Sequence, residues 1–134
     1  MLEHILIYRK GHEHDLHSYS DVSLWINKLF DIEFKGREIL VKQIEKSKYE
    51  LINGEGFISI KFLINDDKEK FPFKVRVPLE MTASQQDRHP IMFLLHVLDG
   101  FVDEVEIYTA DGSLIDNGVS ILNVVHTVSD ILND

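Results

Sequence analysis

The feature that most restricts the fold is Asp99-Gly100, set between two strand-like runs, Met92 to Leu98 and Phe101 to Tyr108. Asp-Gly readily adopts the positive φ angles that the tightest two-residue hairpin turn requires. Counting outward pairs Leu98 with Phe101, His96 with Asp103, Leu94 with Val105 and Met92 with Ile107, all on one face. The opposite face carries Phe93, Leu95, Val97, Val102, Glu104 and Glu106, apolar near the turn and acidic away from it.

Around this hairpin the sequence predicts a mainly antiparallel sheet. Residues 2–8 alternate weakly and read as a first strand, and the His-rich stretch Gly11 to Tyr19 reads as a loop. Ser20 or Asp21 caps a helix over 21–31, with Val22, Trp25, Ile26, Leu29 and Phe30 on one stripe. Trp25 on that stripe reads as core. After Gly36 the period changes to two, predicting strands over Ile39–Ile44 and Tyr49–Ile52, with Asn53-Gly54 as a turn. Phe57 to Ile64 places Ile58, Ile60, Phe62 and Ile64 on one face, and the charged run 65–70 is a solvated connection. Phe71, Phe73, Val75, Val77 and Leu79 alternate with polar residues and Pro72 and Pro78, predicting an edge strand. Residues 82–89 are polar and read as a loop and Asp111-Gly112 as a turn; 118–132 is ambiguous, its valines suiting a strand, but its apolar stripe favours a C-terminal helix. The expectation is one α+β domain over 1–134: an antiparallel sheet of five to seven strands with one or two helices packed on one face.

Composition narrows the chemistry. The absence of cysteine excludes thiol catalysis, zinc–thiolate sites and iron–sulfur clusters, and fits a reducing compartment. No apolar run approaches the ~20 residues of a membrane helix. The first ten residues carry no leader pattern, so a cytoplasmic location is expected. The net charge is −9, and its distribution is uneven: from His89 onward eight carboxylates stand with no lysine or arginine among them. Such a segment repels phosphate, which argues against nucleic acid as partner, and attracts a cationic macromolecule.

Three groupings are candidate sites. His12, His14 and His17, with Glu13 and Asp15 between them, could bind a divalent metal, although no recognised ligand spacing accompanies them. His96 opposite Asp103 could form a general base, but no nucleophile motif accompanies it, and mutual hydrogen bonding of a structural pair is the simpler reading. Glu104 and Glu106 emerge on the same side of a strand, near Asp99, Asp103, Asp111 and Asp116. These six residues read as a surface for a basic partner rather than a glycosidase pair, since a domain of this size leaves little chain for a sugar cleft. No phosphate-binding or dinucleotide motif occurs, and no cofactor is expected.

The stretch Leu95-His96-Val97-Leu98-Asp99-Gly100-Phe101-Val102-Asp103-Glu104-Val105-Glu106-Ile107-Tyr108, closing with Ala110-Asp111-Gly112, resembles a hairpin found in small uncharacterised bacterial proteins. Some of these look like immunity partners encoded beside toxins. The resemblance covers about a seventh of the chain. It implies a non-catalytic, cytoplasmic binding protein that neutralises a basic toxin through an acidic surface. The alternative is a metal-binding enzyme or sensor built on His12, His14 and His17.

Overall fold

The computed structural model describes residues 8–9, 19–54, 56–85, 88–113, 115 and 122–133. Two helices, α1 (Tyr19–Leu29) and α2 (Arg37–Ile44), cover one face of a seven-stranded sheet. The strands are β1 (Tyr8–Arg9), β2 (Lys48–Gly54), β3 (Phe57–Leu63), β4 (Leu79–Gln85), β5 (Arg88–Leu98), β6 (Phe101–Thr109) and β7 (Leu122–Val128). Their order is β1-β2-β3-β6-β5-β4-β7, antiparallel throughout except where the two residues of β1 run parallel to β2. A short 3-10 turn, Asp130–Leu132, follows β7. The expected α+β class is the observed one.

The helix expected over 21–31 is α1. Val22, Trp25, Ile26 and Leu29 recur at helical spacing and are buried against the sheet, with the Trp25 ring 6.3 Å from that of Phe93. Each fully buried side chain of this kind contributes roughly 1.5–3 kcal/mol relative to exposure.

Residues 39–44 depart from the expected strand and lie in α2. The buried positions Arg37, Leu40, Val41 and Ile44 follow a helical period whose first member is an arginine. Its Nε donates to the Phe30 carbonyl at 2.8 Å, so a charged residue occupies an inward position that an apolar count passes over.

The stretch 71–79 forms no strand before Leu79. Pro72 and Pro78 supply no N–H, and the Val75 N–H turns back to the Phe73 carbonyl. The stretch is still tied to its neighbours by backbone bonds, from the Phe71 N–H to the Gly100 carbonyl at 2.8 Å, from the Val97 N–H to the Arg76 carbonyl at 2.8 Å and from the Ser129 N–H to the Pro78 carbonyl at 3.0 Å.

Two further expectations are overturned. Along its described residues the polar stretch 82–89 is strand: it holds most of β4 and the start of β5, with Leu79, Met81 and Ala83 buried inward and Glu80, Thr82 and Ser84 outward. The expected helix over 118–132 is instead strand β7 over Leu122–Val128, pairing antiparallel with β4, followed by the 3-10 turn Asp130–Leu132. The turn expected at Asn53-Gly54 falls two residues later, since Gly54 still pairs with Phe57. The strand expected over 2–8 is described only at Tyr8, where β1 begins.

The Asp99-Gly100 turn is as expected, with φ of 52° and 87°, and Leu98 pairs with Phe101. Beyond Val97–Val102 the register shifts: His96 pairs with Glu104, Leu94 with Glu106 and Met92 with Tyr108. Asp103 is the extra residue of a β-bulge, so every residue of β6 after it changes face relative to a straight count. The buried face of the hairpin is therefore Phe93, Leu95, Val97, Val102, Val105 and Ile107. The open face carries Met92, Leu94, His96, Glu104, Glu106 and Tyr108.

Gln43 of α2 fixes this geometry. Its Nε2 donates to the Glu69 and Gly100 carbonyls, each at 2.8 Å, and its Oε1 accepts from the Val102 N–H at 2.8 Å. A single buried amide thus ties α2 to the hairpin tip beside the bulge.

Candidate functional site

The face of the sheet turned away from the helices is the candidate site. Register alone arranges it in rows that cross the strands, because directly opposite residues share a face. One row reads Glu50, Lys61, Glu104, His96. The next reads Ile52, Ser59, Glu106, Leu94, Glu80, Thr127. A third reads Gly54, Phe57, Tyr108, Met92, Thr82, Val125. Charge thus concentrates in the first row, apolar surface in the third, and the row between is mixed.

The charged row is tightly cross-linked. The Ser59 hydroxyl donates to Glu104 Oε2 at 2.6 Å. Lys61 Nζ lies 3.6 Å from Glu104 Oε1 and 3.7 Å from Asp103 Oδ2, and Arg76 Nη2 lies 4.0 Å from the same Asp103 oxygen. Lys61 and Arg76 are 40% and 51% exposed, so these contacts orient side chains more than they stabilise the fold. A segment without lysine or arginine in sequence therefore has cations beside it in space, supplied by β3 and by the stretch before β4.

His96 does not meet Asp103. Its Nε2 lies 2.9 Å from Glu106 Oε1 and donates to that carboxylate, while Nδ1 is buried with no hydrogen-bond partner among the described residues. Both ring nitrogens are closed to a substrate atom unless Glu106 moves. The Ser59 hydroxyl is committed to Glu104, and its residue is only 4% exposed. His96 and Ser59 lie on β5 and β3, on either side of β6, which puts them out of mutual reach. This cluster lacks the nucleophile–base contact that covalent catalysis requires.

Of the other predicted residues, Asp99 is exposed in the hairpin turn. Asp111 is exposed in the turn after β6, with its Oδ1 accepting from the Ser113 N–H at 3.1 Å and its Oδ2 3.5 Å from His89 Nε2. The Ser113 hydroxyl, close by though outside hydrogen-bond geometry, and then the Ser113 N–H hold the Asp111 carboxyl below its ordinary value. Asp116, His12, His14 and His17 lie outside the described residues. Among the described residues no group of three or more His, Asp or Glu side chains could hold a metal ion, and no helix is long and apolar enough to cross a membrane.

Ser59, Lys61 and Arg76 belong to the site and were not singled out from the sequence. The alternation of β3 carries the signal for two of them: inward Ile58, Ile60 and Phe62 force Ser59 and Lys61 outward. Arg76 has no such signal, since an irregular stretch carries it.

The open face also gathers apolar surface. Of seven large hydrophobic residues exposed among the described ones, five (Ile52, Phe57, Leu63, Leu98 and Val125) lie on it. Around them stand five carboxylates, Glu50, Glu80, Asp103, Glu104 and Glu106, against the cations Lys48, Lys61, Lys70 and Arg76. No family model matches the chain, and no curated protein or solved structure is significantly similar to it.

Proposed function

We propose that this chain is a non-catalytic binding domain that docks a basic protein on the open face of its sheet. The observation that carries this reading is the gathering of exposed apolar side chains and surplus carboxylates on the same face. Apolar surface at the centre of a patch supplies affinity, and a net negative field around it speeds encounter with a cationic partner. The carboxylates with the most weight are Glu80 and Glu106, which flank Leu94 in the middle row, because Asp103 and Glu104 already have Lys61 beside them. The hairpin resembles one in small uncharacterised bacterial proteins, some of which look like immunity partners, and this favours one form of the reading, in which the partner is a toxin whose basic working surface becomes covered.

The test is association kinetics with a basic protein, such as any encoded beside this chain, between about 50 and 300 mM salt, where screening lengths change most usefully. The reading expects association to slow as salt rises. Glu80→Lys with Glu106→Lys should slow it further and flatten the salt dependence, with the fold intact by circular dichroism. Association as fast as wild type in that double variant, at every salt concentration, overturns it.

A further inference from the structure

We propose that two copies of this chain associate by antiparallel pairing of their β7 strands, extending the sheet across a two-fold axis. β7 ends the sheet order, so one side of its backbone has no neighbouring strand among the described residues. Edge strands in monomeric proteins carry lysine, proline or inward charges that discourage pairing. β7, with the sequence Leu-Asn-Val-Val-His-Thr-Val, has no lysine, arginine, carboxylate or proline. In a chain of net charge −9, pairing along β7 therefore sets no like charges directly opposite one another.

The strand is also complementary to itself. A two-fold axis through Val125 sets Val125 against Val125 on the open face and Val124 against His126 on the helix side. Valine meets valine, and no like charges face each other. Val125 is 64% exposed in the single copy, and this pairing buries it. Moving the axis to Val124 or His126 sets Val125 against Asn123 or Thr127 and loses that match. Opposite residues in an antiparallel pair share a face, so both helix layers fall on one side of the joined sheet. Asn123 has φ of 52°, which kinks the start of the strand and leaves the regular ladder over 124–128. Pairing over so short a ladder buries less than the ~1,200 Å² of a standard interface, so the dimer is concentration-dependent.

Sedimentation velocity of the full chain, over about a hundredfold range of concentration, tests this directly. The expected result is a monomer–dimer equilibrium that shifts toward dimer as salt screens the two negative copies. Val125→Lys places two ammonium groups face to face and should weaken the dimer at least tenfold, while Val125→Thr should preserve it. Because the chain has no cysteine, Val125→Cys reports the register: mild oxidation should give a disulfide-linked dimer, and Leu24→Cys on the exposed side of α1 should not. A monomer at all concentrations and salts, or a dimer untouched by Val125→Lys, overturns the proposal.

Discussion

His96 is opposite Glu104 in register, yet its ring reaches diagonally to Glu106, with Nε2 2.9 Å from Oε1. The contact joins β5 to β6 two residues further from the hairpin turn than the register pair. Glu106 is 41% exposed, so solvent screens the interaction. A double-mutant cycle of His96→Phe and Glu106→Gln, followed by urea unfolding, should return a coupling of about 0.5–1 kcal/mol. A coupling near zero would mean that the two side chains merely lie near one another.

Gln43 carries more. Replacing it by Met keeps the volume but takes the Gln43 amide away from the Val102 N–H and the Glu69 carbonyl, while the Gly100 carbonyl keeps the Phe71 N–H. The expected cost is about 2–4 kcal/mol, read as a lower urea midpoint at unchanged slope. Amide exchange at Val102 should quicken selectively. A variant as stable as wild type would show that the hairpin tip does not depend on α2.

The bulge at Asp103 decides which way β6 faces. Deleting Asp103 closes the bulge and leaves His96 opposite Glu104, with Val105 and Ile107 still on the buried face. The deletion should therefore keep a cooperative thermal transition by circular dichroism. Asp103→Ala keeps the bulge and loses only part-exposed ion pairs, so it should cost less than about 1 kcal/mol. Loss of the cooperative transition in the deletion variant would contradict the assigned register.

Asp111 has a carboxyl held below its ordinary value by the Ser113 hydroxyl and N–H. A depressed folded-state value means that the ionised form favours folding. The contribution is full above the unfolded carboxyl's titration and disappears as pH falls through the lowered folded value. Asp111→Asn should therefore flatten the acid side of the stability–pH curve, measured by urea unfolding from about pH 6 down to about pH 2. An unchanged slope would remove Asp111 from that account.

The elements with clean periodicity and ordinary turn chemistry were legible in the sequence. α1 has an uninterrupted stripe, β3 has strict alternation, and Asp99-Gly100 makes the turn its residues favour. α2 was hidden because two of its inward positions are Arg37 and Gln43, polar groups satisfied by distant carbonyls that no local count registers. β4 was hidden because its outward Glu80, Thr82 and Ser84 outweigh a small inward set that ends in Ala83. In β7 the residues fit a helical stripe and a strand equally, and the unpaired side of β4 decided between them.

The site shows the same division. That Glu104 and Glu106 share a side was readable from a separation of two along a strand. The face they share was not, because a bulge leaves no mark on hydrophobic periodicity. Nor was the partner of His96, which follows from that register. The cations Lys61 and Arg76 come from elements distant in sequence, so the uneven charge of the chain overstates the unevenness of its surface.

The central claim is that partners dock on the open face of the sheet, and site-specific photo-crosslinking to the bound basic partner tests it most directly. A photoreactive residue at Met92, in the middle of the apolar row, should give a covalent adduct whose crosslinked peptide is rich in lysine and arginine. The same group at Leu24, exposed on α1 on the opposite side, should give none. Adducts from Leu24 with none from Met92 would contradict the account.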